Sequence, residues 1–344
     1  MVKQAVRAAF VLALFIAMVL GGTAEICAAD DTHDVARLPM VFADKVTGPR
    51  LAALKTAFEK QAEAWEAGCQ SPEKLRQAFN TASDAWAQME MFRAGPLSRQ
   101  SRQERIFYWP DPRNAISRGL KTLLSGSGEE GLKPEEIAGA SVAVQGLPAL
   151  ERLLYGDRGS VDENATLTAR QCAVGTAIAR NLRTIATNAL AEWTAPETGD
   201  LEKIKAASAK PDKAKEAATA VLGDIATGIR LVEDRKMPPL YGGKGVVPNP
   251  KSAESWRSKR SERDIALNVD ALTAALKVVE PFAPEAAAAA NEKLADAAAA
   301  LAGPPDPNRA VTIIAAINNA KYYVIDVLPG ELGLTLGFNS MDGD

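Results

Sequence analysis

Glu151 follows Pro148 by three residues in Val144–Tyr155, an apolar helical pattern broken by Gly146-x-Pro148. A proline inside a helix removes an amide donor and clashes with the carbonyl four residues back, here that of Val144, so the chain has to bend or restart here. Either the break only lets two helices pack, or it aims the Glu151 carboxylate into a site. Other groups with chemical reach are scattered. Glu90 and Arg93 stand three apart, a spacing that also suits a local helical ion pair. Trp109, Asp111, Arg113 and Asn114 crowd one proline-marked connection, the kind of place where binding groups collect. Arg257, Lys259, Arg260 and Arg263 form a basic cluster, followed by Asp264 and Asn268. His33 is the single histidine, so one subunit can build no Ser-His-Asp relay, no Cys-His nucleophile and no multi-histidine metal cage. A site must therefore use carboxylates, guanidinium groups, amides or backbone. An oxygen-only pocket, with Glu90 and Glu151 as its metal-binding members, suits a hard cation such as ferric iron.

Three further motifs are excluded by spacing. Met89 and Met91 are two apart and leave a helix on opposite sides, which rules out a paired-thioether copper site. Gly242-Gly243-Lys244-Gly245 lacks the spacing and the following Ser or Thr of a phosphate loop. The tail from Gly337 to Asp344 ends too early for a calcium loop.

The elements that must position these groups read as helices throughout. Apolar residues at helical spacing (Leu51, Leu54, Phe58, Trp65) predict a helix over 49–67, stopped by Gly68. Ser71-Pro72 opens the next, expected to run to about Arg93, with Leu75, Phe79, Ala82 and Trp86 on one face. Asp111-Pro112 reads as an N-cap and first-turn pair leading into Ile116–Leu124, and Pro134 as the start of the helix that carries Glu151 and ends near Gly156. Long periodic runs follow over Leu167–Trp193, Asp212–Arg235, Ser261–Val279, Pro284–Leu301 and Pro307–Val327. Ser261 to Asp264 fits a capping box. No alternating strand pattern of useful length occurs. The chain is expected to be all-α, with a 1–29 leader and two helical bundles over 30–199 and 200–344 divided at the polar Thr194–Asp200 connection.

Lys3 and Arg7, the unbroken apolar run Ala8–Leu20 and the small residues after it form the pattern of a secretory signal. The run is too short to span a bilayer. Cleavage after Ala29 takes the formal charge from −3 to −4, an acidic balance that argues against nucleic-acid partners. The expected product is periplasmic, with no membrane insertion after cleavage. It keeps Cys69 and Cys172, which an oxidising compartment would allow to pair; two unpaired buried thiols are the alternative.

Taken together, Trp86, Glu90-x-Phe92-Arg93, Trp109-Pro110, Gly146-x-x-x-x-Glu151, Arg263-Asp264-Ile265-x-x-Asn268 and Leu336-Gly337-Phe338-Asn339 resemble, in order and spacing, the imelysin family of exported bacterial proteins. The resemblance implies a fold of two helical bundles, a role in bacterial iron acquisition, a site near the junction of the halves and a classification as metallopeptidases. It also implies a Gly-x-His-x-x-Glu signature, and Pro148 stands where the histidine should be. Zinc hydrolysis needs three protein ligands and an open position, so this departure favours binding over catalysis. The expectation is a non-enzymatic iron-uptake component with no certain cofactor, iron or another hard cation being the candidate ligand. The alternatives are a metallopeptidase using Glu151 and a scaffold for a periplasmic redox or iron-uptake partner.

Overall fold

The computed structural model describes residues 34–127, 132–156, 166–243, 245–304 and 308–336. The leader, His33, Lys244 and Asn339 lie outside the described residues. Among those described there is no strand, only an isolated bridge between Gly243 and Val246. The principal helices are α1 (Gly48–Glu66), α2 (Pro72–Met89), α3 (Ala115–Ser125), α4 (Leu147–Tyr155), α5 (Ala169–Thr194), α6 (Asp200–Ser208), α7 (Pro211–Arg230), α8 (Ser261–Val279), α9 (Pro284–Ala302) and α10 (Arg309–Tyr322).

The periodic apolar residues make the core. Leu51, Leu54, Phe58, Ala62 and Trp65 are buried on α1, which packs on α2 and on α5. A Cβ on Gly175 of α5 would lie 2.0 Å from the Trp65 ring, so only glycine lets the indole seat this deeply. Cys69, just past α1, is bonded to Cys172 on α5. Further along the chain, α9 packs against both α8 and α10. Ala286, Ala287 and Ala290 are buried there, and such small side chains permit close helix approach while favouring helix. Leu294 is buried and Leu301 only half-buried. One run, Arg309–Glu331, is apolar and long enough to cross a membrane by composition alone. Its residues Ile313, Ile317, Ala320, Val324 and Leu328 are committed to the core. Across the chain's midpoint α2 packs on α8 and α4 packs on α2, which brings the motif-bearing segments together.

Local expectations fail where a side chain reaches further than its own turn. The Pro134 helix stops at Gly139, and a separate short turn, Val142–Val144, precedes α4. Ser71 makes no side-chain cap, although Pro72 does begin α2. Asp111 caps α3 from four residues away: its oxygens accept the amides of Ala115 at 2.7 Å and Ile116 at 3.1 Å, leaving Pro112 outside the helix. Ser261 donates to the Glu254 carbonyl at 2.5 Å, so it forms no capping box with Asp264.

Candidate functional site

Gly146 is extended and immediately precedes α4, and Pro148 occupies the first turn, where its missing N–H costs nothing. The break in the apolar pattern is a helix start. A Cβ on Gly146 would sit 2.1 Å from the Ile106 carbonyl oxygen and 2.5 Å from that of Arg105, so the glycine is required by close backbone approach. Gly146→Ala is expected to lower stability by about 1–3 kcal/mol in urea unfolding, the usual cost of overpacking; an unchanged midpoint would count against this geometry.

Starting there, α4 carries two consecutive side chains, Glu151 and Arg152, into the first of two polar clusters. Glu151 is 4% exposed, and its Oε1 accepts the Ser258 amide at 2.9 Å and the Ser258 hydroxyl at 2.7 Å. Burial pushes its carboxyl above the usual range, against the pull of Ser258, Arg257 and Arg152. Arg152 fastens the Trp109 connection: its guanidinium donates to Asn114 at 3.0 Å, Ser117 at 2.5 Å and Asp111 at 3.1 Å. Trp109, joined to Pro110 by a cis bond, donates its indole N–H to the Ser252 carbonyl at 3.3 Å.

The second cluster is centred on Lys236, at the end of the π-helical turn Leu231–Lys236 that continues α7. Lys236 is fully enclosed. Its Nζ ion-pairs with Glu90 and, at 2.6 Å, with Glu254, and donates to Asn268 Oδ1 at 2.7 Å. Asn268 donates in turn to the Ala87 carbonyl at 2.6 Å and to Glu90 at 2.9 Å. Asp264 pairs with Arg260 at 3.0 Å, and Arg260 also reaches Asp84. Two buried cations, Lys236 and Arg260, thus serve three buried carboxylates, Glu90, Glu254 and Asp264. Burial, reinforced by the neighbouring carboxylates, pushes Glu254 up to about 8 and Asp264 up to about 6. The segment from Glu254 to Arg260 joins the clusters, giving Ser258 to one and Glu254 and Arg260 to the other.

Two adjoining cavities open beside this segment. The larger, ≈ 300 Å³, is lined by Tyr108, Trp109, Pro148, Glu151, Lys251 and Trp256 among others. The smaller, ≈ 100 Å³, is lined by Trp86, Glu90, Arg93 and Glu254 and shares Phe107 and Trp109 with the first. Of the residues singled out by sequence, Trp109, Asp111, Asn114, Pro148, Glu151 and Arg257 line the larger space, and Glu90, Arg93 and again Trp109 the smaller. Gly146 shapes the approach. Asp264 and Asn268 sit in the Lys236 cluster. Glu90 pairs with Lys236 across the fold instead of with Arg93, because α2 ends at Met89. Arg263, largely exposed, reaches only Asp84 at 2.5 Å. Arg113 is exposed and lines neither cavity. Asn339 lies outside the described residues.

Sequence reasoning missed Arg152, Lys236, Glu254 and Ser258. Lys236 closes a charged run, Glu233-Asp234-Arg235-Lys236, that reads as a solvated helix end, and nothing local marks it for burial. Among the described residues, no group of three or more His, Cys, Asp or Glu is placed to hold a metal ion. Glu90 is engaged by the Lys236 ammonium, and Glu151 Oε1 by Ser258.

Such an arrangement, an all-helical protein with enclosed carboxylates behind a Gly-x-x-x-x-Glu helix start, defines a class of helical proteins with a polar site buried between packed helices. The chain belongs to the imelysin family: the family's profile, Peptidase_M75 (Imelysin), matches residues 48–321. In fold it is similar to an imelysin-like protein from Psychrobacter arcticum 273-4, at 22% identity and a TM-score of 0.71, covering 88% of this chain and 98% of that one. It is also similar to a candidate iron-regulated protein A precursor from Parabacteroides distasonis ATCC 8503, at 14% identity and a TM-score of 0.69, covering 88% and 95%. No curated protein matches.

Proposed function

We propose that this chain is an exported, non-enzymatic binding component of bacterial iron acquisition, and that it takes a small ferric complex in the ≈ 300 Å³ cavity beside Trp109. One observation carries this reading. The motif carboxylate Glu151 is already held by the Ser258 amide and hydroxyl, and Pro148 contributes no ligand atom, while the space beside them is aromatic-walled with a few polar groups, the usual make-up of a small-molecule pocket. The iron setting is supported by the description of the Parabacteroides relative as iron-regulated. Export to the periplasm is supported by the Cys69–Cys172 disulfide and by that relative's description as a precursor.

Equilibrium dialysis of the mature protein against radiolabelled ferric citrate tests the proposal. Saturable binding is expected, weakened about tenfold or more in Trp109→Ala through loss of the aromatic wall. Equal uptake by both proteins would remove the cavity from the account. A chelator-sensitive peptidase activity abolished by Glu151→Ala would replace binding with catalysis.

A further inference from the structure

A separate cavity of ≈ 250 Å³ takes no part in the clusters above. It lies where the short helix Leu38–Phe42, the Ala94–Arg99 connection, the C-terminal end of α5, and helices α6 and α7 meet. Its apolar wall is made by Phe42, Trp193, Ile204 and Val221. Two carboxylates face it, in different circumstances. Asp200 is matched by Arg99 at 2.7 Å and Lys203 at 3.3 Å, and Arg99 is shared with Glu192 at 3.0 Å. Asp224 of α7 has no such match: both its oxygens accept the Ala94 amide at 3.1 Å, and the Arg93 amide also donates to it. No lysine or arginine side chain among the described residues forms an ion pair with it. The nearby Arg93 guanidinium acts on it through space only.

An aspartate held by backbone amides at the edge of an apolar cavity keeps acceptor capacity, since a carboxylate offers about four lone-pair sites. The two cations that line the cavity, Arg99 and Lys203, are committed to Asp200. What Asp224 lacks is a positively charged donor of its own, and such a donor on an apolar body would also cover Trp193 and Phe42. We propose that this cavity binds a small organic cation, a primary ammonium carried on an aryl or short alkyl group, with its N–H groups on the Asp224 carboxylate. The volume suits a single-ring monoamine and falls below the usual range for larger cofactors. This site is independent of the ferric-complex reading, and neither outcome bears on the other.

The state of Asp224 adds a second readout. Burial pushes its carboxyl up to about 7, against the pull of the Ala94 and Arg93 amides and the Arg93 guanidinium. The other charged groups on the cavity are Arg99, Lys203 and Asp200. An amine with a pKa of about 10 stays charged over the accessible range, so its affinity should follow ionisation of Asp224 and rise between about pH 5.5 and 8.5.

The test is calorimetric titration with 2-phenylethylamine, and with phenylacetate as the probe of the same skeleton and opposite charge. The wild-type chain is expected to bind the amine saturably, with a Kd of about 1 mM or tighter for so small a ligand, and to ignore phenylacetate. Asp224→Asn should weaken the amine by tenfold or more and abolish the pH dependence. Ala217→Phe, which fills the cavity from α7, should remove binding while leaving Asp224 intact, and it serves as the second variant where Asp224→Asn does not fold. No saturable amine binding, equal affinity in both variants, or phenylacetate binding as tightly as the amine would each overturn the proposal.

Discussion

Replacing Lys236 with methionine is expected to lower the unfolding free energy by about 3–5 kcal/mol at pH 7.5, the cost of stripping one partner from a buried ion pair. Methionine nearly matches the aliphatic stem, so little of the loss comes from packing. What remains behind is Glu90, Glu254 and Asp264, all buried, with Arg260 as the buried cation left in the cluster. The loss depends on pH with a definite sign. Glu254 has a folded value of about 8, above its unfolded value of about 4.3, so the stability it contributes is complete below the unfolded value and is lost as pH rises through the folded one. Removing Lys236 raises that folded value further, so the variant should go on weakening above about pH 7, where wild type levels off, at up to about 1.4 kcal/mol per unit for one proton. Adding Glu254→Gln removes both the excess charge and the slope, and should recover part of the loss. Urea unfolding at pH 6, 7.5 and 9 measures this. A loss below about 1 kcal/mol, flat with pH, would mean that the cluster is solvated and Lys236 is no keystone.

Helix placement was legible because burial follows local periodicity. Ser261–Val279 was expected and is α8 to the residue, and Leu51, Leu54, Phe58 and Trp65 are buried on α1 as their spacing required. The site was legible only in part. Gly146, Pro148 and Glu151 announce themselves through backbone chemistry, since a glycine and a proline two apart in an apolar run force a local solution. Partners are another matter. Lys236 lies 146 residues from Glu90 and Ser258 lies 107 from Glu151, and no local pattern distinguishes a lysine that will be enclosed from one that stays in water. Asp111 shows the same limit at short range. Its carboxylate caps α3 from beyond the expected position because Arg152, contributed by α4, holds its other side.

Loss of the Cys69–Cys172 bond carries the other large effect. The bridge closes a loop with a sequence separation of 103, for which the chain-entropy model assigns about 4–5 kcal/mol. Most of that acts on the unfolded chain. In the native state, α1 and α5 are already held by Trp65 lying over Gly175 and by their buried faces. The Cys69→Ala/Cys172→Ala variant should therefore keep its far-ultraviolet spectrum and its ligand affinities while its melting temperature falls by about 10 °C. Reduction of the wild-type protein should reproduce the fall, and the double variant should be indifferent to reductant. The contrast with Lys236→Met is diagnostic. Crosslink loss acts through the unfolded ensemble and is nearly independent of pH from 5 to 8, whereas loss of the buried ammonium acts on the folded cluster and grows with pH. A disulfide variant that melts within about 2 °C of wild type would show that residual structure between α1 and α5 already restrains the unfolded chain, and would move the source of stability from the crosslink to the helix pair.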